Sequence, residues 1–208
     1  MDEGTEHVGL PGATVTLDRG WLGEGEATAL FEALHAATPW ESHRIHVYGR
    51  WLDAPRLSCW MGDADAVYAY SGSRFEPHPW PGVLDPIRER LQRELEAPFN
   101  SVLANLYRDG NDRLGWHRDN ETELGPTPII ASLSLGATRR FRFRAHPGRS
   151  RERGGCGLDL THGSLLVMSG DTQRLYQHAV PPTARSVGPR INLTFRHVTP
   201  RAAAAPAP

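Results

Sequence analysis

Asn105 to Glu121 reads NLYRDGNDRLGWHRDNE, and the way this stretch folds decides what the rest of the chain must do. In an extended chain, residues i and i+2 point to the same side. The Asn-Leu-Tyr segment reads as a strand, with Asn105 and Tyr107 sharing one face. Further on, His117 and Asp119 are also two apart, so an extended backbone lets both side chains reach one metal ion. A lone His-x-Asp pair is a frequent coincidence, and its meaning comes from what surrounds it.

Outward from this stretch the chain reads as strand after strand. FNSVLANLY (99–107), IIASLSL (129–135), RRFRFR (139–144), GSLLVMSG (163–170) and RINLTFR (190–196) are each bounded by Gly, Pro, Asn or Asp. Two helices come first. Ala27, Leu30, Phe31 and Leu34 recur at helical spacing between Glu24 and Ala37, with Pro39 closing the run. Leu84, Ile87, Leu91 and Leu95 form one face of a second helix from Val83 to about Glu96. Residues 43–71 are broken by glycines and prolines and rich in aromatics, with short β-rich runs. This order gives a mainly β fold with flanking helices, a sandwich or jelly roll. Residues 1–20 read as a loose leader ending in a short strand around ATVTL, and 199–208 as a disordered tail. Between them, 21–198 is expected to form a single domain.

The 208 residues suffice for one packed core, and 39% hydrophobic with 23% charged content is ordinary for a globular protein. No apolar run approaches the roughly 18 residues that span a bilayer. The MDEGTEH start lacks the basic and apolar regions of a signal peptide, so a cytoplasmic, monomeric protein is expected. Cys59 and Cys156 have no CxxC spacing and read as free thiols. Net charge is −1, but seven Arg crowd between Arg139 and Arg153 against Glu152 alone, and the chain has no Lys. That crowding fits either codon bias in a GC-rich genome or a phosphate-binding surface.

Two further motifs give the opening pair its context. His178 follows a strand and a turn in YQHAVPP. Arg190, Asn192, Thr194 and Arg196 alternate with Ile191, Leu193 and Phe195, so a strand puts the polar row on one face. Such a row, holding two Arg, must meet water or an anion, and a bound dicarboxylate would supply the counter-charge. Two His and one carboxylate on a β-scaffold with open positions is the arrangement used by non-haem Fe(II) oxygenases. Their iron takes a bidentate cosubstrate and O₂. Arg, Asn and a Tyr hydroxyl would grip the far carboxylate of 2-oxoglutarate.

With VYGR (47–50), PRLSCWMGD (55–63), YAYSG (68–72), GWHRDNE (115–121), HGSLLVMSGDTQRLYQHAVP (162–181) and GPRINLTFR (188–196), the chain resembles the AlkB family. These are Fe(II)- and 2-oxoglutarate-dependent dioxygenases that remove alkyl groups from nucleic-acid bases. The likeness runs from about Val47 to His197 and is closest to the branch acting on methylated DNA bases. It implies a double-stranded β-helix (jelly roll) core at about 99–198, under an N-terminal nucleotide-recognition lid at about 43–80. It implies His117, Asp119 and His178 as iron ligands. Asn105, Tyr107, Arg190 and Arg196 would hold 2-oxoglutarate, with Asn192 and Thr194 nearby. Arg190 would meet the distal carboxylate, and Arg196 would lie near the iron-chelating end. The implied activity couples decarboxylation of 2-oxoglutarate to hydroxylation of an N-methyl carbon, releasing formaldehyde.

The base pocket follows from the same likeness. N1-methyladenine and N3-methylcytosine are cationic and must be flipped out or met on a single strand. Tyr70 would stack on one face of the base with the His117 ring on the other, and Glu121 would aim a carboxylate at the exocyclic amine. Tyr68 and Asn120 are further pocket candidates. Tyr48, beside Gly49 in VYGR, takes the place of a wedge filling the vacated base position, with Arg50 and Arg56 contacting the backbone or helping to hold the gap. By strand alternation Arg142 and Arg144 would reach water or phosphate, and the Arg- and Gly-rich 146–157 is either a mobile element that binds a nucleic-acid strand or a merely solvated loop. Two rival readings stay open: an enzyme of the same fold acting on RNA or a protein side chain, and a damaged-DNA binding module built on a structural metal. The second needs a closed site with a fourth protein ligand.

Overall fold

Alternation with a period of two runs through the second half of the chain, and there the chain is strand. The computed structural model describes residues 4–47, 50–70, 73–148 and 154–199, without the side chains of 45–51 and 68–75. Strands β1 (Thr5–His7) and β2 (Thr14–Asp18) precede α1 (Glu24–Ala37). Then come β3 (Arg44–Val47), β4 (Arg50–Asp53), β5 (Leu57–Gly62), β6 (Tyr68–Tyr70), β7 (Ser73–Phe75) and α2 (Asp85–Leu95). The remainder is β8 (Ser101–Tyr107), β9 (Leu114–His117), β10 (Ile130–Gly136), β11 (Arg139–Ala145), β12 (Gly157–Leu160) and β13 (Leu165–Ser169). A one-turn α3 (Thr172–Leu175) leads into β14 (Tyr176–Val180), and β15 (Arg190–Arg196) ends the series.

A seven-stranded sheet, ordered β1-β2-β13-β10-β15-β8-β5, and a four-stranded sheet, ordered β12-β11-β14-β9, make the jelly roll. All their pairings are antiparallel. The small hairpins β3–β4 and β6–β7 stand apart from both sheets. The short strand expected around ATVTL is β2, which pairs along its length with β13 and carries buried Val15 and Leu17, and β1 pairs beside it, so residues 5–18 join the large sheet instead of forming a loose leader.

The large sheet has two different faces. Leu133, Leu135, Ile191, Leu193, Phe195, Val102, Ala104 and Leu106 pack against Ala27, Leu30 and Leu34 of α1 and Ile87 and Leu91 of α2. The expected helical stripes are therefore the buried ones. The opposite face turns to the small sheet, where Leu17, Tyr107, Ile130, Leu166 and Met168 meet Phe141, Phe143, Tyr176 and Val180. Toward one end of this inter-sheet layer the apolar residues give way to Ser, Asn, Thr and Arg. The fold opens there.

Candidate active site

β9 and β14 are antiparallel neighbours, and His117 and His178 are direct cross-strand partners. Partner residues on one sheet face lie within side-chain contact, and the two rings sit 4.2 Å apart between centroids. The pairing register shifts between His178 and Val180, which ends the regular ladder beside the ligands. Asp119 lies just beyond β9, and its backbone N–H donates to Gln173 Oε1 at 3.0 Å. This places Asp119 Oδ2 3.8 Å from His178 Nε2. One ligand atom from each of the three residues falls within 4.8 Å of the others, and no fourth His, Cys, Asp or Glu joins the group among the described residues.

Protonation is set for metal binding. His117 Nδ1 lies 2.9 Å from the Gly115 carbonyl oxygen, which can only accept, so Nδ1 carries the proton and Nε2 keeps its lone pair. Burial, with His117 beside it, pushes His178 down to about 3, although Asp119 pulls the other way. Burial also lowers His117. Both rings are therefore neutral ligands. Burial alone would raise the Asp119 carboxyl, but the Arg196 guanidinium, by its charge and its hydrogen bond, leads in holding the group below its ordinary range. Phe141 stacks on the His178 ring at 5.3 Å and fixes its plane. His178 Nδ1 is buried and has no hydrogen-bonding partner among the described residues. Two neutral imidazoles and one ionised carboxylate, with coordination positions left open by the protein, fit a divalent redox metal.

Three adjacent strands build a polar cradle next to the triad. Across them, Asn105 pairs with Asn192 and Asn192 with Ser134, while Tyr107 pairs with Arg190. Arg190, fully buried, donates through Nη2 to Ser134 Oγ at 2.9 Å and Asn192 Oδ1 at 2.6 Å. Its Nε and Nη1 meet no hydrogen-bonding partner among the described residues. Burial pushes this guanidinium down to about 10, with Tyr107 pulling it back up. Asn192 Nδ2 passes the chain of bonds to Thr194 Oγ1 and Ser132 Oγ. At the other end of the row, Arg196 Nη2 donates to Asp119 Oδ1 at 2.7 Å. A buried cation with two unmatched donors is costly unless an anion arrives. The cradle has the chemistry of a carboxylate site.

One cavity joins these parts. Its wall includes His117, Asp119 and His178, then Asn105, Tyr107, Asn192, Thr194 and Arg196, with Trp60, Leu103, Leu114, Phe141, Met168 and Val180 as apolar lining. His43, Arg44 and Ala54, from the segment before β5, also reach it. Arg56, a candidate for the DNA contact, lies inside the cavity. It is buried in this wall and donates through Nε to Asn105 Oδ1 at 2.7 Å. The strand start at Leu57 turns it inward, next to Asn105 across the sheet. Asn120 is exposed and Glu121 half-buried, and neither is part of the wall. Tyr48 and Gly49 lie outside the described residues, as do the side chains of Arg50, Tyr68 and Tyr70, although Tyr68 and Tyr70 bound strand β6.

Four participants were not singled out from the sequence. Ser132 and Ser134 alternate with leucines in β10 exactly as the polar row of β15 alternates, so the signal was present. Gln173, from the one-turn α3, had no periodicity to reveal it. Arg139 binds the carbonyls of Asp109, Asp112 and Pro181, and so ties the loop before β9 to the one after β14.

The model of the 2OG-Fe(II) oxygenase superfamily matches residues 14–196. The chain is 39% identical over 184 residues to human DNA oxidative demethylase ALKBH2, covering 85% of this chain and 70% of that protein. It is 40% identical over 199 residues to human alpha-ketoglutarate-dependent dioxygenase alkB homolog 3, covering 92% and 68%. The solved structure of OsALKBH1 superposes with a TM-score of 0.62 over 93% of this chain and 99% of that one, at 16% identity, which shows the fold alone. Fe(II) and 2-oxoglutarate are thus the metal and cosubstrate of this dioxygenase, and the chain belongs to the AlkB family of the 2OG-Fe(II) oxygenase superfamily.

Proposed function

We propose that this enzyme is a DNA oxidative demethylase that removes methyl groups from the N1-methyladenine and N3-methylcytosine class of lesions. The observation that carries it is the cavity in which the His117–Asp119–His178 triad adjoins both the Asn105, Tyr107 and Asn192 end of the polar cradle and a wall supplied by His43, Arg44, Ala54 and Arg56. A relative at 39% identity, human DNA oxidative demethylase ALKBH2, supports DNA as the substrate.

When bound, Fe(II) with O₂ and 2-oxoglutarate supplies the oxidising power. The chain's own residues then have four tasks. Arg190 offers its unmatched Nε and Nη1 to the distal carboxylate, with Asn192, Thr194, Asn105 and Tyr107 shaping the cradle. Arg196 holds Asp119 in one rotamer and keeps it ionised. Phe141, Leu114, Val180 and Met168 exclude water around the reacting centre. The fourth task, holding the extruded base near the triad, falls to the His117 ring and the residue 43–80 lid, with Tyr70, Tyr68, Glu121 and Asn120 as pocket candidates and Tyr48 as the wedge. Substrate positioning of this kind turns an encounter into an intramolecular reaction.

Parallel incubation of methylated DNA, RNA and peptide with Fe(II) and 2-oxoglutarate, read by mass spectrometry, tests this reading. Loss of the methyl group from DNA with formaldehyde release is expected. Turnover of peptide or RNA with DNA untouched would overturn it.

A further inference from the structure

The small sheet has a second face that the reaction does not use. β11 alternates strictly, burying Arg139, Phe141 and Phe143 and exposing Arg140, Arg142 and Arg144. On the same outer face, Trp116 of β9 is exposed, and the Arg144 guanidinium lies over its indole at 4.4 Å from the ring centroid. Trp116, Arg140, Arg142, Arg144, Gly157 and Arg185 line one groove there. Arg140 is 3.3 Å from Asp159, and Arg144 donates to Gln177 Oε1. Among the described residues neither Arg142 nor Arg144 is paired with a carboxylate. Gly157 stands across the ladder from Arg142, so no side chain covers it from β12.

The position of this groove relative to the triad gives it meaning. β9 is the edge strand of the small sheet. His117 projects into the cavity, while its chain neighbour Trp116 projects out of the other face. A strand whose base enters the cavity past the β9 edge can therefore continue over Trp116 onto Arg144 and Arg142. An aromatic platform beside a row of guanidinium groups is what single-stranded nucleic acid requires, since bases stack and phosphates pair. Solvated, unpaired Arg on a flat sheet would otherwise repel one another.

We infer that the outer face formed by Trp116, Arg144 and Arg142 is a track for the phosphodiester backbone of a single DNA strand, leading round the β9 edge to the metal cavity. This rests on the nucleic-acid reading above. The track is distinct from the cavity and contributes affinity rather than chemistry.

Fluorescence anisotropy of a labelled, unmethylated single-stranded oligonucleotide, titrated over a salt series, tests it. For Arg142→Glu/Arg144→Glu the affinity is expected to fall by about tenfold or more, and the slope of log K against log salt to shrink by about 1.4, or roughly 0.7 per phosphate contact. Arg142→Gln/Arg144→Gln, checked for an unchanged melting temperature, should fall in the same direction by less. Trp116→Ala should weaken binding with little change in slope. Turnover of a methylated trinucleotide, too short to reach the track, should be unaltered in all of them. Unchanged oligonucleotide affinity and slope in both double variants would overturn the track, as would an equal loss of trinucleotide turnover. Wild-type failure on the trinucleotide with arginine-dependent binding intact would sink the demethylase reading and leave the track standing.

Discussion

Arg196 and Asp119, 77 residues apart in the chain, share a buried hydrogen bond of 2.7 Å from Nη2 to Oδ1. The other oxygen, Oδ2, faces His178. One carboxylate thus serves the fold through one atom and leaves the other to serve a metal held with His117 and His178. Asp119→Ala is expected to abolish metal binding and also to destabilise the metal-free protein by about 3–5 kcal/mol, because Arg196 stays buried without its counter-charge. Urea unfolding of the metal-free forms measures this; equal midpoints would show that the pair contributes nothing to folding.

Gln173 fixes the backbone of the same ligand through its Oε1. Gln173→Leu should leave the three ligands in place but weaken metal binding by about 10–100-fold, the usual effect of removing a group that orients a ligand. Titration with Co(II), followed by its visible absorption, gives the affinity without any dependence on turnover.

Arg190 is buried with two unmatched donors. Arg190→Met is expected to raise the 2-oxoglutarate requirement by about 100-fold or more, in line with losing a charge-assisted pair of roughly 3 kcal/mol. The same variant should be no less stable than the wild type without ligand, since an apolar replacement removes an unsatisfied cation. Melting curves with and without 2-oxoglutarate separate the two effects. A variant that loses stability without ligand would argue for a purely structural arginine.

Glu96 ends α2 in the left-handed region at φ 48°. A side chain there costs about 1 kcal/mol that glycine does not. Glu96→Gly should therefore raise the melting temperature by about 2–4 °C in a protein of this size. No gain would mean that the Glu96 side chain is compensated in the fold.

Asp112 gives the pH dependence. Burial alone would raise its carboxyl, but hydrogen bonds from the Arg108 guanidinium and backbone N–H outweigh it and hold it below 3.8. A group depressed on folding stabilises above its unfolded value and loses that contribution as pH falls through its folded value. Asp112→Asn should thus cost roughly 1–2 kcal/mol at neutral pH, allowing for the exposure of Arg108, and the gap to wild type should close below about pH 4. A gap independent of pH would assign the loss to packing instead.

How far the sequence could be read follows from how local each signal is. The α1 limits and the buried stripe of Ala27, Leu30 and Leu34 were legible because helical periodicity is a property of a dozen consecutive residues. The split of β15 into a polar row and an apolar row was legible for the same reason, at a period of two. Gln173 was not, since its role depends on Asp119, far along the chain, and β2 was legible as a short strand while its pairing with β13 was not. Arg56 was visible as a residue but not as a direction. Only the pairing of Leu57 with Leu106 shows that it turns toward Asn105 and not toward solvent.

By itself, the sequence determined which side chains share a face of one strand: His117 with Asp119 beyond it, and Arg190 through Arg196. Covalent geometry fixes that alternation wherever the strand is placed. The tertiary structure alone decided that His178 lies opposite His117, and that Asn105, Asn192 and Ser134 fall side by side. It also decided that Trp116 and the exposed arginines share the far side of the same sheet. Strand order and register join residues with no local relation to one another, because they are set by how the two sheets and two helices bury their apolar faces together.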